Sequence, residues 1–77
     1  MTNPQEKKYL RAFGKRLAEV RKSRGLTQEE LAEMLDISAV SITYLETGRR
    51  WPRLLTLHRI AKALKVNVTD LFSGLKN

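Results

Sequence analysis

Residues Thr27–Gly48 read TQEELAEMLDISAVSITYLETG, and this stretch decides the fold. It parses as two short helices joined by a tight turn. The first opens on a capping box: Thr27 can accept from the amide of Glu30 while the Glu30 carboxylate reaches back to the amide of Thr27. Leu31 and Leu35 face inward, and Ala32 is small where another helix must pass closely. Asp36 ends the helix, because aspartate tolerates left-handed backbone better than most residues other than glycine. Ser38 is a good N-cap for the second helix. There Ile42 and Leu45 share a core face, Val40, Tyr44 and Thr47 project the other way, Ala39 and Thr43 flank them, and Gly48 is the stop. The chain of 77 residues carries 15 Lys and Arg, and none lies in this stretch. Keeping cations off the segment best shaped for recognition suits a chain whose flanks hold DNA phosphates while an uncharged helix meets the bases.

Upstream, Tyr9, Leu10, Phe13, Leu17 and Val20 recur at three- and four-residue spacing and predict a first helix from about Glu6 to Arg24. Lys8, Arg11, Lys15 and Lys22 fall on its opposite side. Pro4 fits at or just before its start, and Gly25 fits the left-handed position past its end. Downstream, Arg49-Arg50-Trp51-Pro52-Arg53 forms a short basic loop. A fourth helix follows over Leu54–Leu64, without a good side-chain cap, turning Leu54, Leu57, Ile60, Ala61 and Leu64 inward. A fifth starts at Asn67, with Asp70 favourable in its first turn and Leu71, Phe72 and Leu75 as its apolar residues. No segment alternates with period two, so no sheet is expected. The expected architecture is all-α, a compact five-helix domain over residues 13–75, with residues 1–12 as an N-terminal extension and the start of helix 1.

Size and composition narrow the function. A single domain of this length buries about 60–65% of its unfolded surface. With no Cys in the chain, neither disulfides nor thiolate metal ligands can staple it, so helix packing and oligomerisation must hold it. No apolar run approaches the roughly 18 residues needed to span a bilayer, and the N-terminus lacks the apolar centre of a signal peptide, which makes the cytoplasm the default location. A net charge of +7 and a pI near 10.3 favour a polyanionic partner over a merely soluble basic surface. One His, no Cys and no paired inward carboxylates supply no nucleophile and base, so no enzyme, metal site or cofactor is expected. The apolar stripe of helix 1 is needed for the core, which argues against membrane insertion.

One charge is out of place. Glu46 projects toward the apolar side of its helix, where an unpaired carboxylate is very costly. Arg21, at the edge of the helix 1 stripe, is its best partner.

Taken together, Gly25-Leu26-Thr27-Gln28, Glu30-Leu31-Ala32, Leu35-Asp36-Ile37-Ser38, Ile42, Leu45-Glu46 and Gly48 resemble the phage-repressor and Cro type of helix-turn-helix domain, the xenobiotic-response-element family. Pro52, Leu54, Leu57, Ile60-Ala61 and Ala63-Leu64 extend the likeness, which covers about residues 13–72. The resemblance implies a lambda-repressor-like fold and a homodimer on a palindromic operator, with the third helix in the major groove. It is a resemblance to small regulators made of this domain alone: phage repressors, restriction–modification controller proteins and some antitoxins. It implies base contact by Ala39, Val40, Thr43 and Tyr44, with methyl surface for thymine and hydroxyls that can donate or accept. Gln28 and Ser38 fall at helix N-termini and are phosphate candidates, though Ser38 serves equally as a cap; Ser41 suits a base or a phosphate. Arg49, Arg50 and Arg53 would follow the backbone or enter the minor groove, with Arg16, Lys22 and Arg24 as weaker candidates. An Arg21–Glu46 pair occurs at the matching positions of relatives. The chain departs from the pattern at Asp36, where glycine is usual, at Leu55, where a polar residue is common, and in a third helix without Gln, Asn or Arg.

Trp51, Leu55, Leu71, Phe72 and Leu75 exceed what so small a core needs, and are candidates for a two-fold interface; Trp51 and Phe72 suit the core equally. RNA polymerase is a partner if the dimer activates, and no small-molecule effector is expected. The competing reading is an antitoxin or protein-binding module, but only Asn3–Arg11 and the last few residues lie outside the domain to hold a toxin.

Overall fold

The computed structural model describes residues 3–73 and 75. Among these, four α-helices are followed by one 3-10 turn, and no strand occurs: α1 Pro4–Ser23, α2 Gln28–Leu35, α3 Ala39–Glu46, α4 Leu54–Leu64 and the 3-10 turn Val68–Phe72. The first two residues of the expected N-terminal extension lie outside the described residues.

Helix α1 starts two residues ahead of the expected Glu6, because Asn3 caps it. The Asn3 Oδ1 accepts from the Glu6 amide at 2.7 Å, and Pro4 follows in the first turn, where its missing N–H costs nothing. At twenty residues α1 runs about 30 Å, close to the 32 Å long axis of the molecule. The capping box of α2 is formed: Glu30 N donates to Thr27 Oγ1 at 3.0 Å and Thr27 N donates to Glu30 Oε1 at 2.9 Å. Asp36 takes the left-handed conformation that stops α2, with φ 56°. Ser38 caps α3 through its hydroxyl, which accepts from Ser41 N at 3.1 Å.

Phe13, Leu17, Leu31, Leu35, Ile42, Ile60, Leu64 and Leu71 are fully buried and form one core at which all the elements meet. Helices α1 and α3 cross closely at Gly14. A Cβ on Gly14 would sit 2.5 Å from the carbonyl oxygens of Leu45 and Glu46, so only glycine lets the backbones approach this far.

Arginines close several helix ends. Arg59 Nη2 donates to the Leu35 carbonyl at the end of α2 (2.8 Å), and Arg24 Nε donates to the Leu64 carbonyl at the end of α4 (2.7 Å). Both place a cation where unsatisfied carbonyls concentrate negative potential. Arg16 Nε donates to the Asp70 carbonyl in the 3-10 turn at 2.8 Å. Arg16 and Arg24, weak candidates for DNA from sequence, are therefore engaged in holding the fold.

Two expectations need correction. Leu54, expected inward, is 84% exposed, because it is the first residue of α4 and the buried face begins at Leu57. The fifth element is a 3-10 turn of five residues rather than an α-helix. Val68 and Thr69 are β-branched, the segment is short, and the Asp70 carbonyl is drawn to Arg16, all of which favour the tighter turn.

Candidate nucleic-acid interface

Helix α3 carries a single charged residue, and that charge is neutralised inside the protein. Arg21 grips Glu46 with two parallel bonds, Nε to Oε2 at 2.6 Å and Nη2 to Oε1 at 3.0 Å, in the fork geometry that guanidinium and carboxylate share. Their side chains are 9% and 5% exposed. Arg21 Nη1 also donates to the Leu26 carbonyl at 2.7 Å, tying the α1–α2 connection to the pair. The bond to Glu46 raises the Arg21 pKa and outweighs the opposing effect of burial. A raised arginine pKa contributes stability that is lost as pH rises through that group's ionisation, which lies in strong alkali.

Gln28 extends the pair into a network. Its Nε2 donates to Glu46 Oε1 at 2.9 Å, and its Oε1 accepts from the Thr43 hydroxyl at 3.0 Å. The side chain at the start of α2 thereby fixes the rotation of α3. The Thr43 hydroxyl hydrogen has two acceptors in reach, Gln28 Oε1 and the Ala39 carbonyl at 3.2 Å, both within the protein. In this arrangement Thr43 turns its hydroxyl hydrogen inward and presents its lone pairs and methyl group.

Among the residues singled out for base contact, Val40 is 57% exposed, Thr43 and Tyr44 are half-buried, and Ala39, also half-buried, packs in part against the core. Ser38 and Ser41 sit at the leading end of α3 with their hydroxyls 2.9 Å apart. Arg49, Arg50 and Arg53 are exposed on the loop that leaves the trailing end. Arg50 and Arg53 line, with Ser41, Thr56, Ile37 and Trp51, a shallow hollow of about 250 Å³ beside α3. The Arg49 and Arg50 guanidinium groups lie over the Tyr44 ring, 5.6 and 5.2 Å from its centroid. The carboxylates of Glu29, Glu30 and Glu33 are exposed on α2 and that of Asp36 just past its end, and at 100° per residue Glu29, Glu30 and Glu33 fall on the side away from Gln28.

The interface candidates separate. Leu71 is fully buried within the chain's own core and has no surface to offer a second copy, so it belongs to the core. Trp51 and Phe72 stack around Phe13, with ring centroids 5.5 and 5.3 Å from it, and Trp51 remains 38% exposed as a cover. Leu75 is half-buried. Leu55 is 69% exposed, and with Leu54, Leu57, His58 and Val68 it lines an almost wholly apolar hollow of about 350 Å³. Leu54, His58 and Val68 line this hollow beside Leu55, and the sequence alone does not single them out for a two-fold interface. The signal for Leu54 was a leucine at the first position of a helix, before the buried face begins.

Comparison with known proteins gives a consistent result. The family model described as Helix-turn-helix matches residues 17–71. An uncharacterized HTH-type transcriptional regulator of Methanothermobacter thermautotrophicus is 47% identical over 57 residues, which are 73% of this chain and 83% of that protein. The HTH-type transcriptional activator BcrR of Enterococcus faecalis is 37% identical over 62 residues, 80% of this chain but 30% of BcrR. Among solved structures, the restriction-modification controller protein C.AhdI of Aeromonas hydrophila superposes with a TM-score of 0.78 at 35% identity, covering 82% of this chain and 96% of that one. The clp gene regulator ClgR of C. glutamicum superposes at 0.81 with 30% identity, covering 86% and 85%.

Proposed function

The chain belongs to the helix-turn-helix family of DNA-binding transcriptional regulators, and from that premise we propose that it acts as a homodimer on a palindromic operator, as a restriction–modification controller or phage-type repressor. The observation that carries the reading is the uncharged outer face of α3, bordered at its trailing end by Arg49, Arg50 and Arg53. Ala39, Val40 and Thr43 meet base edges. Methyl groups of Ala39 and Val40 suit thymine, and the Thr43 oxygen suits the amino hydrogens of adenine or cytosine. The loop arginines, Ser38, Ser41 and the second amide hydrogen of Gln28 hold phosphates. The likeness to C.AhdI over nearly all of that chain supports the controller setting.

Dimerisation uses the exposed Leu54–Leu55 corner and the hollow beside Val68. A two-fold axis there sets two copies of α3 about 34 Å apart, in successive major grooves. Repression follows if the dimer blocks polymerase, and activation follows if it presents a surface to polymerase. The cytoplasm is the setting.

The test is a gel shift with an operator chosen from a randomised library and a scrambled duplex, at two salt concentrations. Specific regulation gives a ratio of at least about 10³ between the duplexes, and an affinity that falls steeply with salt. Equal affinity for both would favour a module whose main partner is another protein.

A further inference from the structure

We infer that Tyr44 is a platform that positions Arg49 and Arg50 against the DNA backbone, and is not itself a base reader; this deepens, and rests on, the DNA-binding reading above. Two guanidinium groups share one ring, at 5.6 and 5.2 Å from its centroid, both within the range of cation–π attraction. The backbone imposes this arrangement. Gly48 takes φ +73°, its amide donates to the Leu45 carbonyl at 3.4 Å, and the Arg49 amide donates to the Tyr44 carbonyl at 2.9 Å. This pair of bonds is a Schellman closure, which folds the chain back along the last turn of its helix. Arg49 and Arg50 therefore leave the backbone beside the ring of the residue whose carbonyl holds Arg49.

Two neighbouring guanidinium groups repel each other, and the negative face of an aromatic ring offsets that repulsion. Exposed arginines also lose much rotamer freedom on meeting a phosphate, and stacking on Tyr44 removes part of that loss beforehand. A ring occupied by cations is poorly placed to stack on a thymine methyl. Base reading on α3 then falls to Ala39, Val40 and Thr43, while Tyr44 supplies the uncharged helix with positive charge borrowed from the loop.

The experiment compares the full chain with Tyr44→Phe, Tyr44→Leu, Arg49→Ala/Arg50→Ala and the triple variant carrying Tyr44→Leu. Binding to a fluorescein-labelled duplex is followed by anisotropy across a range of salt, and the free proteins are studied by proton NMR. Tyr44→Phe should bind within about twofold of wild type, because the ring and not the hydroxyl acts. Tyr44→Leu should bind about tenfold more weakly, with a shallower salt dependence. Tyr44→Leu should add nothing in the background that lacks both arginines. In the free protein, ring-current shifts on the Arg49 and Arg50 side-chain protons should persist in Tyr44→Phe and vanish in Tyr44→Leu. Equal losses from the Phe and Leu variants, an undiminished loss in the arginine-free background, or absent ring-current shifts would each overturn the platform. A wild-type chain that binds no duplex would instead overturn the DNA-binding reading, and the phosphate role with it.

Discussion

At the residue scale, the Arg21–Glu46–Gln28–Thr43 network shows how one buried pair governs a surface. Replacing Arg21 by alanine leaves a carboxylate that is 5% exposed without its partner, which costs about 3–5 kcal/mol. A domain of this size has about 4–12 kcal/mol in total, so Arg21→Ala should show a deeply lowered or absent thermal transition by circular dichroism. Arg21→Lys should recover little, because an ammonium cannot make the two parallel bonds to Glu46 together with the bond to Leu26. Gly14→Ala is a second test. Its new methyl would meet backbone oxygens at 2.5 Å, and the α1–α3 crossing must open, so a loss of about 1–3 kcal/mol is expected in denaturant unfolding. The Arg21–Glu46 pair was legible in the sequence because a carboxylate on an apolar face has few remedies. The extension through Gln28 and Thr43 was not, because both residues also suit an exposed interface, and only the facing of two helices shows that they bond each other. Gly14 was equally silent: a glycine inside a helix gives no hint of which backbone passes over it.

At the element scale, caps and stops were legible wherever a side chain makes its own bond to the backbone. Thr27 with Glu30 and Ser38 are cases of this kind, Asp36 marked the stop of α2 through its tolerance of left-handed backbone, and Asn3 carried the capping signal three residues before the expected start of α1. The 3-10 turn at Val68–Phe72 was only partly legible: its β-branched residues and short length are local, but the bond from Arg16 to the Asp70 carbonyl joins residues fifty-four apart. The stop of α4 was not legible: there Lys65 adopts φ 60°, a conformation unfavourable for a side chain beyond Cα. Lys65→Gly should relieve that strain and raise stability by up to about 1 kcal/mol, read as a higher melting temperature. The opposite is expected at Gly48, whose φ is +73° and whose Cβ would lie 2.9 Å from the Arg11 side chain. Gly48→Ala should lower stability by about 1–2 kcal/mol and weaken DNA binding, because the same turn aims Arg49 and Arg50.

At the scale of the whole molecule, charge is partitioned by element. The stretch Thr27–Gly48 has five carboxylates and no Lys or Arg, while the chain as a whole carries +7. Glu29, Glu30 and Glu33 are exposed on α2, Asp36 is exposed just past its end, and Glu46 is neutralised by Arg21. In the proposed homodimer the exposed apolar corner at Leu54 and Leu55 is where the second copy docks. Leu55→Glu should leave the monomer folded, since Leu55 is 69% exposed, and should shift sedimentation toward the monomer. Operator affinity should then fall by far more than binding to a single half-site. The most direct measurement is the operator consensus selected from a randomised duplex library by wild type, Val40→Asn and Arg53→Ala in parallel. Val40→Asn should change the preferred base at one position of each half-site, toward adenine, with the salt dependence unaltered. Arg53→Ala should keep the wild-type consensus, with weaker binding to every sequence and a salt slope reduced by about one for each phosphate that the arginine no longer neutralises. An unchanged consensus for Val40→Asn, or a changed one for Arg53→Ala, would contradict the assignment of α3 to the bases and of the loop arginines to the backbone.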